Sequence, residues 1–204
     1  MLEAAGKSID ILKKRARPIE KVDLLGIHST GGDALRALLK DDCRILKLSQ
    51  IDAFQSVLSY VGAAFRIIGG AKGDVSVYLF LVNPTELKVV AASPQHLALN
   101  DTDLAALNDP KSAARRAAST ERAVMSTSPE FDIAIGRLVP VRSGETNSGS
   151  LFVYPLKDLG SSTAQYVVSV HLSRSRSLRK SDVKLMSRVL ADVEPVMLLI
   201  EKRT

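Results

Sequence analysis

Two apolar seams of matching length and spacing bracket the chain, and they constrain its fold more than any other feature. Ile51, Phe54, Leu58, Val61, Phe65 and Ile68 recur at alternating intervals of three and four residues. Val183, Met186, Leu190, Val193, Met197 and Ile200 repeat that spacing near the C-terminus. Such a pattern lays one apolar stripe along a helix that packs lengthwise on another element. The first predicted helix ends at Gly69-Gly70, and Ser181 and Asp182 open the second. Pro195 lies inside the second and removes one backbone hydrogen bond.

Between the seams the pattern changes to that of strands. Val75 to Val82 is a β-prone run, Asn83-Pro84-Thr85 reads as a turn, and Leu87 to Ala92 returns as the hairpin partner. A loop follows Pro94. Asp109-Pro110 then opens a predicted helix through Ala113, Ala114, Ala117 and Ala118 towards Val124. Strands are expected over Ile133–Val141, Leu151–Leu156 and Tyr166–Leu172, with a polar loop over Ser143–Ser150. In the last strand Tyr166, Val168, Val170 and Leu172 share one face. The order implies an α+β domain: a mostly antiparallel sheet, with helices on one side.

Residues 1–47 read as an N-terminal helical extension to a domain over 48–204. Leu2, Ala5, Ile9 and Leu12 lie on one helical face that stops before Pro18. Asp33 follows Gly31-Gly32 as a cap for a piece carrying Leu35, Leu38 and Leu39.

Composition excludes several functions. With no Trp and few aromatics, the core must be aliphatic. Cys43 is the one cysteine, so no internal disulfide forms. His28, His96 and His171 stand far apart in sequence, which argues against a metal site. The N-terminus lacks a signal peptide's apolar stretch, and no apolar run is long enough to span a bilayer. A cytoplasmic protein without a transmembrane segment is expected. No Gly-x-Ser-x-Gly, P-loop or His-Glu-x-x-His motif occurs, so no enzyme is expected. Gly69-Gly70-Ala71-Lys72-Gly73 follows a helix and precedes a strand, the reverse of a phosphate loop. The formal charge of +6 suits an anionic partner without demanding one.

The element order resembles the GAF family over about residues 48–202. The resemblance is carried by the helix ending at Ile68-Gly69-Gly70 and by the strands Val75–Val82 and Glu86–Ala92. Leu151-Phe-Val-Tyr-Pro-Leu156 and Tyr166–Leu172, running into Leu178–Met186, complete it. Membership implies a central sheet flanked by N- and C-terminal helices, with a ligand pocket on one sheet face under the Ala-rich segment. The chain departs from the family at Ala164-Gln165-Tyr166, where a Gly-Val pair is usual, and Cys43 lies outside the matched region.

Candidate ligand contacts are Arg115 and Arg116 on the Ala-rich helix, His96 in the loop after the second strand, and Tyr78 and Tyr154 on strands. Guanidinium groups grip a phosphate or carboxylate bidentately. Neighbours on a helix diverge by about a hundred degrees, so one arginine at most enters a pocket. Arg174, Arg176, Arg179 and Lys180 form a basic turn suited to an anion or nucleic-acid phosphates. The expected function is a non-enzymatic regulatory or sensory module. It binds a small anionic ligand or a protein partner, needs no cofactor, and forms a homodimer through its terminal helices. The alternatives are a scaffolding protein with a degenerate pocket and a nucleic-acid-associated basic protein.

Overall fold

A computed structural model describes residues 49–70, 73–94, 99–139, 149–157, 163–173 and 177–201. The expected extension over 1–47 lies outside the described residues. Helix α1 (Gln50–Ile68) forms on the first seam. The Ser49 hydroxyl accepts the Asp52 N–H at 3.2 Å, and Asp52 places an acid where the helix dipole favours one. Strands β1 (Val75–Val82) and β2 (Leu87–Ser93) pair across the Asn83-Pro84-Thr85 turn. There follow α2 (Asp101–Leu107), α3 (Ala113–Thr120), β3 (Val124–Ser126) and α4 (Pro129–Ala134). Strands β4 (Ser150–Lys157) and β5 (Ala164–Leu172) and helix α5 (Val183–Glu201) complete the domain.

The strands form one antiparallel sheet in the order β2-β1-β5-β4-β3. Alternation along β5 decides what each face carries. Tyr166, Val168, Val170 and Leu172 are buried on the face covered by α1 and α5. Phe54 of α1 meets Tyr166 with ring centroids 6.2 Å apart, and Phe65 meets Phe152 at 5.8 Å. Of the first seam, only Ile51 is exposed, at 55%; Phe54, Leu58, Val61, Phe65 and Ile68 are buried. Met186, Leu190, Val193, Met197 and Ile200 of the second seam are buried too. By length and composition alone α1 would also suit a membrane. Seven of its residues are buried, as in the core helix of a folded domain.

Four expectations need correction. Helices cover both faces, because α3 packs on the side of the sheet opposite α1 and α5. The Ala-rich helix starts three residues later than Pro110: the Ser112 hydroxyl accepts the Arg115 N–H at 3.0 Å and caps it. Asp109 instead closes a turn, its carboxylate accepting the Lys111 N–H at 2.7 Å. The loop after Pro94 contains α2, which Asn100 and Asp103 open with a reciprocal capping box. The expected strand over Ile133–Val141 is replaced, among the described residues, by the end of α4 and a bend. Pro129 at the first helical turn sets α4, and Gly136 N–H bonds back to Ile133 O at 2.9 Å. The short β3 pairs with β4 instead.

The seams therefore act within the chain. Phe65→Ala should destabilise the domain by about 3–5 kcal/mol, the cost of a core aromatic truncation. Ile51→Ala should stay within about 0.5 kcal/mol. Urea unfolding at two protein concentrations checks this. Equal costs that scale with concentration would move the first seam into an intermolecular interface.

Candidate functional site

The sheet face under α3 holds the expected pocket region, and its composition follows from strand register. Cross-strand partners share a face. One row reads Ala92, Tyr78, Ser169, Val153 and Val124; the next reads Ser76, His171, Leu151 and Ser126. Phe80, Val167 and Pro155 make a third. Tyr78 and Phe80 stack, centroids 5.9 Å apart and planes at 9°. Ala113, Ala114 and Ala117 of α3 join Leu87, Leu107 and Leu138 in the same buried cluster as Tyr78, Phe80, Val153 and Val167. Small alanine side chains let the helix backbone sit close to the strands. The described side chains in this region are buried.

The two arginines do not enter it. Arg115 donates from Nη1 to Asn83 O at 3.0 Å and from Nη2 to Pro84 O at 2.6 Å, tying α3 to the β1–β2 turn. Arg116 is exposed and donates to Arg137 O at 3.3 Å. Ala113, Ala114 and Ala117 take the inward stripe, so both guanidinium groups flank it. Tyr78, 8% exposed, belongs to the cluster. Tyr154 pairs in register with Val168 and therefore faces α5, on the other side of the sheet. It stacks on Phe152 at 6.5 Å. Burial raises its phenol pKa; Glu194 pushes the same way and Lys157 opposes. Tyr78 and Tyr154 thus cannot line one pocket. His96, Arg174 and Arg176 lie outside the described residues, while Arg179 and Lys180 are exposed just before α5. No group of three metal-ligating side chains occurs among the described residues.

A polar corner that the sequence reading missed lies at one end of this face. Ser126 Oγ donates to Asp132 Oδ2 at 2.6 Å, across the β3–α4 connection. Asp132 O accepts the Arg137 and Leu138 N–H groups at 2.7 and 3.1 Å, closing α4. His171 stands two strands from Ser126. Gly149, at φ +115°, passes over it: a Cβ there would lie 3.0 Å from His171 Nε2 and 2.0 Å from Leu172 O. No side chain fits that approach. The residues between Tyr166, Val168, Val170 and Leu172 are the signal for this corner, since Ser169 and His171 must face the other way. Ser126 is buried, and its hydroxyl ties β3 to α4 through the Asp132 carboxylate.

With this geometry, solved structures show what the domain is similar to. The GAF domain of Acinetobacter phosphoenolpyruvate-protein phosphotransferase aligns with TM-score 0.53 and 15% identity, covering 83% of this chain and 93% of that one. The A. aeolicus nlh2 GAF domain in an inactive state aligns with 0.52 and 10%, covering 92% and 99%. The free methionine-R-sulfoxide reductase of Neisseria meningitidis, in complex with its substrate, gives 0.57 and 12%, covering 93% and 94%. The chain has a GAF-like fold. No family model matches the chain, and no curated protein sequence matches it. At these identities the likeness extends to the GAF-like architecture and no further.

Opposite the Ala-rich helix, Glu194 of α5 performs a second structural task. A bulge between Leu156 and Lys157 interrupts the β4–β5 register, and the Glu194 carboxylate accepts the Lys157 N–H. Burial raises the Glu194 pKa, and the Lys157 N–H and ammonium partly restore it. The protonated form is therefore favoured by folding. The stabilising contribution is full below the unfolded pKa and is lost as pH rises through the folded one. Gln at this position keeps the acceptor without the charge. The melting temperature of the wild type minus that of Glu194→Gln should rise as pH falls from 8 through the carboxylate range; a flat difference contradicts the assignment.

The Arg115 strut has its own expected outcome. Hydrogen bonds from a charged donor contribute about 1.5–3 kcal/mol when buried, and this group is half-buried. Arg115→Ala should cost about 1–2 kcal/mol in urea unfolding, and Arg115→Lys, which lacks the planar fork, most of that. Arg116→Ala should cost under about 0.5 kcal/mol.

Proposed function

We propose that this GAF-like domain is a non-catalytic interaction module, the scaffolding alternative of the sequence reading, with its sheet face packed shut under α3. The packing of Phe80, Val153 and Val167 against Ala117, all at most 2% exposed, carries this reading. Placement of both arginines outside that space supports it further, because among the described residues no arginine or lysine lies beneath α3 to hold an anionic ligand.

The partner proposed is a protein. Phe131 and Ile135, one turn apart around α4, are 59% and 47% exposed and offer an apolar contact. A second copy of the chain is the simplest such partner, although the buried seams do not supply the surface for it.

A thermal-shift panel of nucleotides, amino acids and methionine sulfoxide tests the closed face. No ligand should raise the melting temperature. A ligand at a hundred times its Kd would add about 2.7 kcal/mol and shift melting by several degrees, and that result would reopen the pocket.

A further inference from the structure

The face of α5 turned away from the sheet carries charge that the fold does not use. Arg179, Lys180, Lys184 and Arg188 are all exposed. Between Ser177 and Ala191 the only acid is Asp182, which is buried and accepts a hydrogen bond from the Ser181 hydroxyl. None of the four cations has an ion-pair partner among the described residues. Lys180, Lys184 and Arg188 succeed one another at intervals of four, about 6 Å apart along the axis once the helix is formed.

Stability does not account for this row. The helix dipole disfavours a cation such as Lys184 in the first turn, and Asp182, just ahead of α5, is the one acid beside it. Like charges four residues apart repel.

We propose that this ridge is a docking surface for the phosphodiester backbone of a nucleic acid, read without regard to sequence. The spacing favours a repeating anion over a single one. Ser181, Ser187 and Ala191 lie among the cations, and no aromatic or large aliphatic side chain on the ridge is exposed. Bases therefore have no platform to stack on, and a lipid surface meets no apolar wedge to receive. Phosphate contacts of this kind position a strand and carry no sequence information.

Fluorescence anisotropy of the full chain with labelled 20-nucleotide single strands of two unrelated sequences, between 25 and 200 mM salt, tests the proposal. Both should bind alike, with log Kobs falling against log salt at a slope of about −3 for four neutralised phosphates. Lys184→Gln with Arg188→Gln should reduce that slope by about half and weaken binding at 50 mM salt at least tenfold, with melting temperature unchanged or raised. Arg116→Gln, an exposed cation on the other side of the sheet, should leave binding unchanged. Absence of binding at 25 mM salt, or an unaltered slope in the double variant, overturns the proposal. So does binding to vesicles containing phosphatidylserine or to polyglutamate at least as tight as binding to the strands.

Discussion

The register of β5 is the constraint on which the rest of the domain depends. It is the central strand and is bonded on both edges, so its alternation is imposed on β1 and β4 together. Val168 and Val170 face the helix pair while Val167 faces α3, and all three are fully buried. A slip of one residue would exchange the faces, sending Ser169 and His171 under α1 and α5 and removing Tyr166 and Leu172 from them. Neither helix layer tolerates that exchange. One side needs large apolar groups to fill the gap beneath Phe54 and Phe65; the other needs room for the backbone of α3.

Much of this architecture was legible because it is written in short-range periodicity. The two seams, the β1–β2 hairpin and β5 each show their pattern within twenty residues, and burial follows it closely. Capping was legible in principle as well. Asn100 and Asp103 form a recognisable box, yet the polar composition around them resembled a loop. Ser112 competed with Asp109-Pro110 for the start of α3, and the serine hydroxyl prevailed because Pro110 lies in the turn that Asp109 closes. Ile133 to Leu138 failed for another reason. Alternate apolar residues over so short a span fit a strand or a helical turn, and Pro129 decided it from outside the window.

The candidate site was less legible because its side chains answer to distant backbone. Arg115 is oriented by carbonyls more than thirty residues away, at Asn83 and Pro84. Nothing near Arg115 in sequence announces them. Tyr78 and Tyr154 were separable only once register was known, since parity along two strands has no common origin until those strands are paired. Glu194 belongs to the same class: its partner is the one Lys157 N–H that a bulge leaves outside the ladder.

Under the proposed reading, a closed sheet face limits how the domain could transmit a signal. A ligand enclosed under a helix lid acts by moving that helix relative to the strands. Here α3 is fixed on three sides: by its alanines against Phe80 and Val153, by Arg115 to the β1–β2 turn, and by Arg116 to Arg137 O. Motion of that helix would break all three together, a concerted cost that no described side chain is placed to offset. Communication is cheaper at the surface. The exposed Phe131 and Ile135 lie on the α3 side of the sheet and the basic ridge of α5 on the other. If both proposals hold, a partner docked at one would leave the other accessible, and the sheet would hold the two contacts at a fixed separation.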